Sequence, residues 1–133
     1  YPGLYRSVIP NFIKLALSGE PLVITGTGSE TRDFCYVDDA VSGICAVLFS
    51  NTNPAEVFNI ASGKTTSIVK IAETINECCE NEVDILFTDR RSWDQVTDRK
   101  AETNKISSLM QLNTVIAVED GIKRTCDWVK TIV

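Results

Sequence analysis

The chain has 133 residues, 44% of them hydrophobic, with 13 basic against 18 acidic side chains and a net charge of −5. That is one domain's length with enough apolar material for a core. The acidic balance excludes non-specific nucleic-acid binding, which needs a basic face, and no apolar run reaches the roughly 20 residues of a membrane span.

In chain order, "SVIPNFIKLALS", 7–18, predicts a helix, with Ile9, Phe12, Ile13 and Ala16 at helical spacing, Pro10 in the first turn and Gly19 as the stop. "PLVIT", 21–25, and "DFCYV", 33–37, predict strands. Asp38 reads as the N-cap of a helix whose buried stripe is Val41, Ile44, Cys45, Leu48 and Phe49. A loop over 50–56, a strand over 57–60 and a turn at "ASGKT" follow. Ser67 reads as the cap of a helix buried through Ile68, Ile71, Ala72, Ile75 and Cys79, and "VDILF", 83–87, as a fourth strand. Residues 88–102 form a charged stretch without apolar period, and a loop of that length inside a domain is usually functional or disordered. A short helix over 103–110 and a last one from Val118, inner face Ile122, Cys126 and Val129, complete an alternating α/β order.

Most catalytic constellations fail on inspection. There is no histidine, so the commonest general base and metal ligand is missing. The five cysteines include no C-x-x-C pair and read as reduced thiols of a cytoplasmic protein rather than a metal site. Asp38-Asp39 and Glu119-Asp120 fall at predicted helix starts, where capping and dipole effects account for them. Gly26 and Gly28 begin like a dinucleotide loop, but Thr31 occupies the third glycine position and a strand-like segment follows. A turn between strands is the better reading. Arg32, Arg90 and Arg91 remain. They fall beside strand ends, where ligand sites of open α/β sheets form, and guanidinium matches phosphate in two-pronged fashion. On residues alone an anion site there competes with ordinary surface ion pairs.

Four stretches, "VIPNFI" (8–13), "GEPLVITGTGSETRDFCYVDDA" (19–40), "EVFNIASGKTTS" (56–67) and "VEDGIKRTCDWV" (118–129), occur in this order. Together they closely resemble the C-terminal part of the extended short-chain dehydrogenase/reductase family, within it the NAD-dependent nucleotide-sugar epimerases and dehydratases. The resemblance implies a small C-terminal substrate-binding domain of a Rossmann-type enzyme, spanning 1–133, that binds a nucleotide-diphosphate sugar. It implies a separate N-terminal domain that holds NAD and supplies a Tyr-x-x-x-Lys pair. None of Tyr1, Tyr5 and Tyr36 has a lysine four residues on, so no catalytic residue is assigned to this chain and no cofactor is expected on it alone. The start at Tyr1, with the only methionine at Met110, likewise predicts a piece of a longer protein, itself a cytoplasmic homodimer by resemblance.

By position, Arg32 resembles the family's phosphate-binding arginine and Arg91, or less favourably Arg90, its second clamp. The strand through Val23 and Thr25 resembles the one whose backbone meets the base, and Val8 and Asn11 fall in the segment lining the nucleotide pocket. Gly26 and Gly28 then shape the loop that presents Arg32. Asn59 suits a structural role as well as a ligand. Three departures stand out: Thr25 replaces a frequent aromatic, "MQLNT" (110–114) lacks the usual Gly and Pro, and the Tyr-Gly-Pro junction appears only as "YPG". A reductase of the same fold and a non-catalytic binding or scaffold module are the competing readings. An uncovered apolar face that favours self-association or a loosened domain is the further expectation for the chain by itself.

Overall fold

The computed structural model describes residues 7–51, 55–92, 96–110 and 116–132. The elements are α1 (Val8–Leu17), β1 (Val23–Thr25), β2 (Thr31–Arg32), α2 (Val37–Leu48), β3 (Thr66–Ser67), α3 (Ile68–Cys79), β4 (Leu86–Thr88), β5 (Asp98–Arg99), α4 (Asn104–Met110) and α5 (Val118–Lys130). β1 pairs in parallel with β4, Val23 opposite Leu86 and Thr25 opposite Thr88. β2 lies between β3, antiparallel, and β5, parallel. Short strands and amphipathic helices make this an α/β fold, as the alternating pattern predicts.

The core is built around α3. Ile71, Ala72 and Ile75 are fully buried between α1, which contributes Phe12, Ile13 and Ala16, and α5, which contributes Ile122 and Cys126. Leu22 and Ile24 close the cluster from β1. α3 starts where expected: the Ser67 side chain accepts a hydrogen bond from Lys70 N at 3.3 Å. α1 stops where expected, with Gly19 in the left-handed region at φ 67°. The five cysteines are unpaired, and Cys79 Sγ lies 3.8 Å from Cys126 Sγ across the α3–α5 seam. Burial, and secondly the neighbouring Cys79 sulfur, push the Cys126 thiol up to about 12.

Several expectations are corrected. The strand expected over 33–37 is displaced to Thr31–Arg32. Asp33 turns its carboxylate onto Ser62 N (2.9 Å) and Gly63 N (3.0 Å), which leads the chain out of the sheet. Tyr36 packs its ring on Gly121, so the aromatic character reflects a contact with α5 rather than a strand. Residues 57–60 form no ladder. Lys105 Nζ donates to Val57 O, and Asn59 Nδ2 donates to Glu102 O, so side chains take part in fixing this segment. The strand expected over 83–87 is shorter and later, at Leu86–Thr88.

Asp38 is not the cap of α2. The helix begins at Val37, the flanking Tyr36 makes no side-chain cap, and Asp38 in the first turn lies 3.5 Å from Arg124 Nη1. The stripe expected to be buried on α2 is also exposed: Val41 at 51%, Ile44 at 56%, Leu48 at 69% and Phe49 at 81%. Only Gly43 of this helix is buried, against Ile60. The periodicity is real, but the surface that would cover it is not among the described residues. Parts of the stretches 50–56, 88–102 and 110–114 lie outside the described residues, while β5 falls within the second.

Candidate functional site

β1 is the natural starting point. Leu86 N donates to Leu22 O and Gly26 N donates to Thr88 O, both at 2.9 Å. Backbone groups alternate along a strand, so Leu22, Ile24 and Gly26 face β4, and Val23 and Thr25 turn their N–H and C=O to the opposite edge. α1 runs beside that edge. A cavity of about 280 Å³ opens there, lined by Val8, Asn11 and Phe12 of α1, Val23, Ile24 and Thr25 of β1, and Glu30, Arg32, Ile68 and Arg91.

The residues singled out from sequence thus sort cleanly by place. Val8, Asn11, Val23, Thr25, Arg32 and Arg91 share this cavity. Arg90 is not among its lining residues and instead places Nε 3.9 Å from Glu30 Oε1. Asn59, Ser67 and Asp38 lie elsewhere, in the roles given above. Gly26 and Gly28 take φ 91° and 76°, a conformation that favours glycine, and they turn the chain from β1 into β2.

That turn does not fit a dinucleotide pyrophosphate. A β-strand follows it rather than a helix N-terminus, and the position a Cβ would take at Gly28 is crowded by Val69 at 3.1 Å and Phe87 at 3.2 Å. The turn is instead fastened to α3: Val69 N donates to Gly28 O at 2.9 Å and Ile68 N to Glu30 O at 3.0 Å.

Arg32 is held in a more structured way than its position in a loop-to-strand junction suggests. Nη1 donates to Thr31 O (2.7 Å) and Thr97 O (2.9 Å), and Nη2 to Val96 O (3.1 Å). These carbonyls belong to β2 and to the segment entering β5, so the guanidinium orientation is set by backbone. A planar guanidinium is also the side chain whose donors best match phosphate oxygens.

Sequence reasoning missed two residues with structural weight here. Asp33, besides Ser62 and Gly63, accepts from Ala101 N at 3.4 Å, and so joins three segments behind β2. Glu30 is 8% exposed in the cavity wall. A single acid in a loop of glycine, serine and threonine carries no periodic signal, so only the three-dimensional arrangement reveals it.

A second, larger cavity of about 550 Å³ lies elsewhere, lined mainly by Ile9, Phe34, Tyr36, Val37, Ile122 and Trp128, with Arg124 the one basic residue among its described lining. Its walls are apolar, which suits packing rather than an anion. In its wall, the Cys35 thiol is pushed up by burial and then by Asp39 and Asp33. Among the described residues, no group of acids and cysteines could hold a metal ion, and no helix is long and apolar enough to cross a membrane.

The fold is α/β with an arginine-lined cavity at a strand edge, and comparison with known proteins shows what the chain is similar to. The profile of the NAD dependent epimerase/dehydratase family matches residues 1–61. A UDP-N-acetyl-alpha-D-glucosaminuronate decarboxylase of Bacillus cytotoxicus is 31% identical over 98% of this chain and 42% of its own length. An epimerase structure from Methanothermobacter thermautotrophicus superposes with a TM-score of 0.91 at 36% identity, covering 98% of this chain and 39% of that one. The Bordetella bronchiseptica enzyme WbmF, solved with NAD+ and UDP, superposes with a TM-score of 0.80 at 36% identity, covering 95% of this chain and 36% of that one. The chain is thus similar to proteins of the NAD-dependent epimerase/dehydratase family, over residues 1–61 by the family profile and over nearly its whole length by these relatives. It spans about two fifths of the length of these relatives.

Proposed function

We propose that residues 1–133 are the substrate-binding portion of an NAD-dependent nucleotide-sugar epimerase, dehydratase or decarboxylase, and that the cavity beside β1 holds a nucleoside diphosphate. The observation that carries this reading is the meeting of Arg32 and Arg91 with the outward edge of β1 in one cavity. The base lies along Val23 and Thr25, where backbone donors and acceptors read its edge, with Val8 and Asn11 against its face. The diphosphate lies between Arg32 and Arg91. The sugar continues toward the NAD-binding domain of the complete protein, where the hydride and proton transfers take place. The complex of WbmF with NAD+ and UDP supports a uridine nucleotide as the ligand class.

Two experiments test the reading. In the complete protein, Arg32→Ala and Arg91→Ala each weaken UDP by roughly 1.5–3 kcal/mol, the worth of a hydrogen bond to a charged group, as measured by titration calorimetry. Thermal melting is recorded alongside, because Arg32 also holds the carbonyls of Val96 and Thr97. Unchanged affinity in both variants contradicts the site. The catalytic part of the reading requires a glycine fingerprint and a Tyr-x-x-x-Lys pair in the gene upstream of the codon for Tyr1. An open frame there without them leaves a binding module and removes the enzymatic reading.

A further inference from the structure

We propose that Glu30 and Arg90 form a positioning pair that sets Arg91 toward the diphosphate, so that Glu30 governs affinity for the phosphates without touching them. This rests on the reading of the cavity as a nucleoside-diphosphate site.

A carboxylate in the wall of an anion site calls for an explanation, because by itself it repels the ligand. Glu30 is 8% exposed, and its Oε2 is buried without a hydrogen-bond partner among the described residues. Its position is fixed from two sides. The backbone carbonyl is held by Ile68 N at the start of α3. The carboxylate lies against the bare Cα of Gly26, where a Cβ would come within 2.6 Å of Oε1. The cation it faces is Arg90, with Nε 3.9 Å from Oε1. That distance is an ion pair rather than a hydrogen bond.

The pair does two things. It offsets the wall's negative charge, which lessens repulsion of the diphosphate. It also fastens the segment leaving β4 to the fixed turn between β1 and β2. Arg90 and Arg91 are consecutive, and Arg91 lines the cavity whereas Arg90 does not. Arg90 and Arg91 face different ways here, and an anchor on Arg90 restrains the backbone from which Arg91 projects. The structure therefore separates the two arginines that sequence left as alternatives: Arg91 toward the ligand, Arg90 toward Glu30.

The sign of one substitution decides the matter. If Glu30 were only a negative wall, Glu30→Gln would remove repulsion and UDP would bind more tightly. As a positioning residue, it should bind less tightly. In the complete protein, UDP is titrated by calorimetry and uridine, which lacks phosphates, by ligand-observed NMR. Glu30→Gln and Arg90→Gln are each expected to weaken UDP roughly tenfold and to leave uridine unchanged, and the double variant to be no weaker than either single one. If Glu30→Gln does not fold, Glu30→Asp replaces it: the charge and its repulsion stay while the reach to Arg90 is lost, so weaker UDP with unchanged uridine is again expected, and unchanged UDP would overturn the pair. Unchanged or tighter UDP binding, an equal loss for uridine, or additive losses would overturn the proposal. Arg91→Gln separates the two readings. If it weakens UDP while the Glu30 and Arg90 variants bind normally, only the positioning pair falls. If neither it nor Arg32→Ala affects UDP, the cavity assignment falls and the pair's role with it.

Discussion

Arg32 combines two tasks that are usually seen apart. Its guanidinium braces the carbonyls of Thr31, Val96 and Thr97, and its position lines the cavity. A lysine has one compact charge and cannot bridge carbonyls spaced in this way, so the choice of arginine has a structural reason before any ligand is considered. Gly26 makes a comparable demand on the chain. It holds φ 91° and gives its side-chain space to Glu30. Gly26→Ala should cost roughly 1–3 kcal/mol from backbone strain alone, and more if the carboxylate cannot shift. Denaturant unfolding should show that loss, and an unchanged midpoint would mean that the turn relaxes without strain. Residue identity made the arginines and glycines legible in the sequence. Glu30 and Asp33 were not, because their importance lies in what surrounds them.

At the scale of elements, helices were more legible than strands. α1, α3 and α5 each bury one face against a neighbouring helix, and such a face leaves a periodic trace. The strands have only two or three residues each, too few for alternation to register, and contacts outside the sheets imitate the pattern. "DFCYV" is the clearest case, since Asp33 serves a loop and Tyr36 serves α5. The start of α3 is the best-determined boundary, as the sequence suggested. Ser67→Ala removes the bond to Lys70 N and should cost about 1 kcal/mol. A melting temperature lowered by a few degrees would show it. Because Ile68 N and Val69 N hold the turn carrying Glu30, nucleotide affinity should fall in the same variant.

For the whole molecule, the informative surface is the apolar face that the described residues leave exposed. Val37, Val41, Ile44 and Leu48 recur along one face of α2 and are all more than half exposed. Trp128, 61% exposed, borders the larger apolar cavity. Exposed apolar patches of this kind mark interaction surfaces. The relatives are more than twice as long, and on the proposed reading the cover would be the NAD-binding domain of the complete protein. The 133-residue chain by itself is accordingly expected to self-associate or to loosen. Sedimentation over a dilution series should show concentration-dependent mass or an expanded monomer, and Ile44→Ser with Leu48→Ser should reduce the association. A compact monomer that resists dilution would contradict this. The sequence showed the α2 stripe but not its exposure, because periodicity reports that a face is apolar and not what covers it.

The central claim is that the cavity beside β1 receives a nucleoside diphosphate between Arg32 and Arg91. The most direct measurement is a crystal structure of the complete protein soaked with UDP. The account predicts density for the base along the outer edge of β1 and for both phosphates between the two guanidinium groups, with Arg90 still facing Glu30. Density in the apolar cavity by Trp128, or phosphates held by other residues while Arg32 and Arg91 stay apart from them, would contradict it.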